Sequence, residues 1–155
     1  MEHSSFCVRY PNEWMTMVAT IPLEQATTVI EAAEQHAEEI GVPSVLTVSN
    51  SEGNLVAQHR MDGAWLPSVT ISRNKAYTAA GLKMPTHELA DVTQPGETLY
   101  GLQTVDEGRI VIFGGGFPLE NDGEIVGAVG SSGGMPDEDV EIAEAAVEKF
   151  QELAE

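Results

Sequence analysis

Residues 44–80 read SVLTVSNSEGNLVAQHRMDGAWLPSVTISRNKAYTAA, and the change of period inside this stretch decides the fold. Two short runs rich in β-branched residues, Ser44 to Ser49 and Asn54 to Arg60, flank Asn50-Ser51-Glu52-Gly53, a loop with hairpin chemistry. They are expected to pair antiparallel. Ser68 then stands where it can cap a helix running through about Ala80 and closed by Gly81. The face of that helix, Ser72, Ala76 and Ala79, is small enough for close approach to a sheet.

Upstream, helical spacing begins at Leu23 and puts Val29, Ala33, His36 and Ile40 on one stripe until Gly41 and Pro43 stop the turn. Downstream, Thr86 to Val92 reads as a short helix after Pro85. Leu99 to Thr104, Arg109 to Phe113 and Glu124 to Gly130 read as strands, with a further extended piece at Gly116 to Glu120 and a hairpin signal at Asn121-Asp122-Gly123. A last helix starts at Asp137, with Asp137, Glu138 and Asp139 in its electropositive first turn and Val140, Ala143, Val147 and Phe150 toward the core. The order α-β-β-α-(α)-β-β-β-α lacks βαβ alternation. It predicts an α+β protein with a central antiparallel sheet of about five strands flanked by helices. Residues 1–17 show no usable period and are expected to be a flexible tail, leaving 18–155 as a single domain.

With 25 acidic against 7 basic residues, the 155-residue chain carries a net charge of −18 spread along its length. Phosphate backbones would be repelled, so nucleic acid is excluded as a partner. The apolar content and the periodicity exclude a disordered acidic chain. What remains is a folded domain with a dense carboxylate surface, the composition by which proteins of salt-loving organisms stay soluble. No apolar run is long enough for a membrane helix, and the N-terminus lacks the pattern of a secretory signal, which together predict a cytoplasmic protein. Cys7 is the single cysteine and cannot form an internal disulfide.

Several catalytic patterns fail on inspection. No Gly-rich loop continues into Gly-Lys-Ser/Thr, and no GxGxxG follows the first strand. Gly130-Ser131-Ser132-Gly133-Gly134 matches a nucleophile elbow, but that mechanism needs a histidine after the serine, and His3, His36, His59 and His87 all precede it. No Cys, His, Asp or Glu cluster has zinc-ligand spacing. The two glycine loops, Gly114-Gly115-Gly116 and Gly130 to Gly134, either turn the chain and let backbones pass closely or offer free N–H groups to an anion. The scarce cations are more telling. Arg60, Arg73, Lys75 and Lys83 face one acid, Asp62, in a positive island that either pairs with carboxylates on neighbouring helices or holds a carboxylate-bearing ligand.

Residues 55–80, with their R-M-D-G-A turn and K-A-x-T-A helix core, and the C-terminal run GGGFPLENDGEIVGAVGSSGGMPDEDVEIAEAA resemble the GlcG/HbpS-like (haem-degrading, DUF336) family. The resemblance spans about residues 20 to 154. It implies a profilin-like α+β fold assembled into homo-oligomers, and relatives that bind haem or are fused to a corrinoid adenosyltransferase domain. It further implies a ligand pocket bordered by Arg60, Met61, Asp62, Gly63 and Lys75, with Gly115, Gly116, Gly130, Ser131, Ser132 and Gly133 from the glycine loops. His36 is the candidate haem-iron ligand, because helix one can line a subunit interface.

Three functions fit these readings. The chain binds a small anionic ligand or tetrapyrrole, haem before corrinoid, through its carboxylates. Alternatively it is an enzyme or accessory subunit acting on a small carboxylate or corrinoid, with Lys75 or Asp62 as proton carrier. Or it is an oligomeric scaffold whose cations form structural ion pairs. The charge balance makes its own prediction: thermal melts should show a higher Tm in molar salt than in millimolar salt, and equal values would rule out a salt-adapted surface.

Overall fold

The chain leaves its first helix, α1 (Leu23–Ile40), at Gly41, whose left-handed conformation lets its N–H cap the carbonyls of Ala37 and Glu38. This computed structural model describes residues 20–154; the expected tail at 1–17, with Cys7 and His3, lies outside the described residues. The buried stripe of α1 is Ala26, Val29, Ile30, Ala33 and Ala37, and His36 stands half-exposed at its margin.

Strands β1 (Val45–Asn50) and β2 (Leu55–Arg60) form the expected antiparallel hairpin, with Leu46 opposite His59 and Val45 opposite Arg60. The Asn50 carboxamide oxygen accepts from the N–H groups of Glu52 and Asn54 and so builds the turn. Helix α2 (Leu66–Leu82) starts earlier than Ser68 and carries Gly81 inside it; the chain leaves it through Lys83, in a left-handed conformation. Ser68 does not cap the helix. Its hydroxyl accepts from Ser132 Oγ at 3.1 Å across the helix–sheet contact.

A turn at Thr86–Glu88 leads into the short α3 (Leu89–Val92), as expected. The next segment corrects the sequence reading, for neither Leu99 to Thr104 nor Arg109 to Phe113 joins the sheet. Tight turns occupy Leu102–Thr104 and Asp106–Gly108, and Asp106 and Glu107 take positive φ values of 50° and 57°, which no strand tolerates. Residues 109–111 run along α2 instead, where Val111 donates its N–H to Thr78 Oγ1 at 3.0 Å. The further extended piece is a full strand, β3 (Gly116–Asn121), which turns at Asp122-Gly123 into β4 (Glu124–Ser132). The sheet therefore has four strands, all antiparallel, in the order β2-β1-β4-β3.

Helix α4 (Pro136–Ala154) closes the chain and packs with α1 on one face of the sheet. There Leu46, Val48, Leu119 and Val129 meet Val29, Ile30 and Ala33 of α1 and Ile142, Ala146 and Phe150 of α4 in the main core. Ile142 and Ala146 hold the places that spacing assigned to Val140 and Val147, which are half-buried. Among the described residues no helix is long and apolar enough to cross a membrane.

The opposite face is covered by α2 and is held largely by hydroxyls. Thr47 Oγ1 and Ser72 Oγ lie 2.9 Å apart, and Gln58 Nε2 donates to Thr47 Oγ1 at 2.7 Å and to the Val69 carbonyl at 2.9 Å. The approach is so close that a Cβ at Gly130 would run into the Ser72 carbonyl and stand 2.7 Å from the Ala76 nitrogen. Gly130→Ala should therefore cost about 3 kcal/mol in urea unfolding. Gly81→Ala, on the same helix with open space around it, should instead stabilise by about 0.5–1 kcal/mol.

Candidate functional site

Where α1 ends, the segment Gly41-Val42-Pro43 crosses to β1 and stands as a ridge between two open depressions. The larger, about 600 Å³, has Glu34, Ala37 and Glu38 of α1 on one side and Arg60, Met61 and Asp62 on the other. The smaller, about 440 Å³, is bounded by Gly63, Trp65 and the Gly133–Met135 segment ahead of α4. Trp65 and Met135 are 70% and 67% exposed, so its rim is apolar.

The turn after β2 is built from its own groups. Met61 donates its N–H to the Ser44 carbonyl at 3.1 Å, and its sulfur lies 3.4 Å from the Ser44 nitrogen. Arg60 donates through Nε and Nη2 to the Ala64 carbonyl at 3.2 and 2.8 Å, which clamps the R-M-D-G-A loop. Among the described residues Arg60 forms no ion pair, although Glu34, Glu38 and Asp62 line the same depression. Asp62 lies beside it on the same wall.

Lys75 is placed elsewhere. It is fully buried, with Nζ 2.6 Å from Asp139 Oδ2, 2.8 Å from the Ser131 carbonyl and 5.0 Å from the centre of the Phe113 ring. Burial pushes its pKa down, and the charge and hydrogen bond of Asp139 work against that shift. Gly115, at a φ of +111°, must lack a side chain here, since a Cβ would sit 2.8 Å from Lys75 Nζ, Asp139 Cβ and the Ser131 carbonyl alike.

The glycine loops are not open anion cradles. Asp139 Oδ1 accepts from the N–H groups of Gly133 and Gly134 at 2.9 and 3.0 Å, and Glu138 Oε2 accepts from Met135 at 2.7 Å. Carboxylates one turn into α4 thus satisfy the donors an incoming anion would need. In the other loop, Gly116 donates to Thr86 Oγ1 at 3.0 Å. The structure brings Arg60, Met61, Asp62, Gly63 and Gly133 to the two depressions, whereas Lys75, Gly115, Gly116, Gly130, Ser131 and Ser132 lie behind them in the packing of α2 and α4 on the sheet.

The histidines separate by their partners. His36 Nε2 lies 2.8 Å from Glu141 Oε1 and its Nδ1 3.9 Å from Glu39 Oε2, while His59 Nδ1 lies 3.0 Å from Glu34 Oε1. Among the described residues, no three His, Cys, Asp or Glu side chains stand close enough to hold a metal ion by themselves. Sequence reasoning missed Trp65, Pro43 and Met135, which carry no chemical signature alone, and gave Asp139 only a helix-dipole role.

The family model described as haem-degrading protein HbpS-like matches residues 21–148. The chain belongs to the HbpS-like family. Within it, the chain is similar to an uncharacterized 15.0 kDa protein from the dhaT-dhaS intergenic region of Citrobacter freundii, at 48% identity over 88% of this chain and 96% of the relative. Among solved structures it resembles two in particular. One is the Klebsiella pneumoniae protein ORFY, a DUF336 protein, with TM-score 0.85 and 43% identity over 88% of this chain and 94% of that one. The other is PduOC in complex with haem, with TM-score 0.81 and 37% identity over 84% and 94% of the two chains.

The buried pair yields a prediction. Asp139→Ala leaves a buried ammonium without its counter-ion and two backbone N–H groups without their acceptor, and should cost about 3–5 kcal/mol in chemical unfolding. Between the lowered value and the ordinary 10.5, the unfolded chain keeps on Lys75 a proton that the folded chain has released. Stability from this group therefore rises with pH across that window. Lys75→Met should remove that slope from an alkaline series of unfolding curves.

Proposed function

We propose that this chain binds a tetrapyrrole, haem before any other, in the larger depression between the end of α1 and the Arg60–Gly63 turn. The observation that carries the reading is Arg60, a guanidinium fixed by the Ala64 carbonyl and with no carboxylate of the described residues within ion-pairing distance. It borders a cavity of a volume suited to a small ligand. A planar, pre-oriented fork of this kind suits a carboxylate such as a haem propionate.

The rest of the lining fits the same group. Ala37, Val42, Pro43 and Met61 give an apolar wall for a macrocycle. Glu34, Glu38 and Asp62 on the same lining disfavour ligand carboxylates near them, which leaves the Arg60 side for the propionates. When bound, haem would supply redox and oxygen chemistry at its iron; the chain supplies position, polarity and axial contact. The haem complex of PduOC supports the choice of tetrapyrrole.

In this reading Lys75, Gly115, Gly116, Gly130, Ser131 and Ser132 act as supports that set the position of the Gly133–Met135 wall. The exposed Trp65, Leu66 and Met135 support self-association beside the ligand, and the charge of −18 supports work in a salt-rich cytoplasm.

Titration of the protein with hemin in molar salt should give a saturable Soret shift at one haem per subunit or per two subunits, with sedimentation on the same samples fixing the assembly. Arg60→Glu should weaken binding about tenfold or more, the loss of one charge-assisted contact and its replacement by repulsion. Undiminished affinity in Arg60→Glu would remove this arginine from the site. A linear, unsaturable titration of the wild type would remove haem.

A further inference from the structure

We propose that the outer face of the C-terminal half of α2, with the Arg109 side chain laid against it, is a docking surface for a short acidic segment of another protein. It is separate from the two depressions, which none of its residues line. The first observation is an uneven distribution of charge. Helices α1 and α4 carry carboxylates along their whole length, whereas α2 has none. Residues 63–87 are the longest run of the chain without an Asp or Glu, and they hold Arg73, Lys75 and Lys83. Lys75 is spent inside, on Asp139. The other two are exposed, and among the described residues neither is in an ion pair.

Leu66, Thr70, Arg73, Tyr77 and Gly81 recur at the spacing of one helix face, away from the side packed on the sheet. Tyr77 is held from two directions. The Arg109 guanidinium carbon lies 3.6 Å from the centre of its ring, and Gly53 of the first hairpin turn comes so close that a Cβ there would stand 2.6 Å from Cδ2. The stack presents Arg109 as a flat, pre-oriented fork, and Asp106, 3.9 Å from it, is too far for a hydrogen bond.

The end of the helix gives up stability for its surface chemistry. Gly81 lies inside α2, where alanine is favoured, yet nothing stands within 4 Å of the place its Cβ would take, so no contact within the described chain asks for glycine. Lys83 takes a left-handed conformation, φ 57° and ψ 40°, that glycine would adopt without strain. The helix dipole favours a cation here, which offsets part of the cost at Lys83 and none at Gly81. A partner backbone passing close over Gly81 with a carboxylate on Lys83 accounts for both.

Charge and size choose the occupant. Cations along one helix face match carboxylates of similar spacing. From Arg73 to Lys83 the helix rises only about 15 Å, so a nucleic acid or an anionic membrane would overrun the patch onto the acids around it. A second copy brings a charge of −18 of its own. A short acidic segment on a less charged body avoids both penalties.

The probe is a fluorescein-labelled helical peptide with glutamates at i, i+4 spacing, set against its counterpart with glutamine at those positions. The glutamate peptide should bind the full chain saturably and at least about tenfold more tightly than the glutamine one. Arg73→Glu should lower that affinity about tenfold, while Lys149→Glu, the same change of net charge placed on α4, should leave it unchanged, with each variant confirmed as folded by circular dichroism. Lys83→Gly should raise Tm and yet lower affinity about fivefold, an opposition that a merely structural lysine would not show. Absence of saturable binding, equal affinity for the two peptides, equal losses in Arg73→Glu and Lys149→Glu, or wild-type affinity in Lys83→Gly each overturns the proposal. Tighter binding to phosphatidylglycerol vesicles than to the glutamate peptide overturns it as well. So does a wild-type oligomer, seen by sedimentation, that Arg73→Glu dissociates, because the face then belongs to a contact between copies.

Discussion

The ion pair between Lys75 and Asp139 ties the helices on the two faces of the sheet, α2 and α4, to the end of β4. Lys75 comes from the middle of α2, Asp139 from the first turn of α4, and between them the Ser131 carbonyl at the end of β4 takes a further hydrogen of the ammonium. Two charges buried this deeply are costly to desolvate, and the geometry offsets the cost by satisfying each group several times over. The second oxygen of Asp139 holds the backbone of Gly133 and Gly134, so one carboxylate sets the course of the chain from sheet to helix. Gly115 lacks a side chain because the pair leaves no room for one.

The secondary structure was legible wherever a single period ran to a chemical stop. Helix α1 ended at Gly41, the first hairpin turned on Asn50, and the last helix carried its acids where the dipole wants them. Beyond the ends of α2 and two core positions of α4, misreading fell on 99–113, where Leu, Val and Ile composition suggests strands. Backbone reversals at Asp106 and Glu107, along with the Thr78 hydroxyl, commit that segment to α2 instead. Composition cannot reveal such a commitment, because it depends on an acceptor 33 residues away.

The candidate site was half legible. The R-M-D-G-A turn stood out by its chemistry, and it does border the larger depression. Lys75 stood out as well, as one of very few cations, yet its rarity reflects a buried structural charge. The glycine loops read ambiguously because the same glycines serve an anion or a close backbone contact, and only Asp139, several residues beyond, settles which donors are taken. The pairing of His59 with Glu34 has no sequence signature at all, since 25 residues and a change from helix to strand separate them.

The two faces of the sheet also differ in how they respond to temperature. On the α1 and α4 side, folding removes mostly hydrocarbon from water, which makes the enthalpy of unfolding climb steeply on warming. On the α2 side, the contact between Thr47, Gln58, Ser72, Ser68 and Ser132 is made of hydroxyls and amides, whose exposure lowers the heat capacity of the unfolded chain. That layer therefore flattens the stability curve of the whole domain, holding the fold near constant strength over a broad range of temperature.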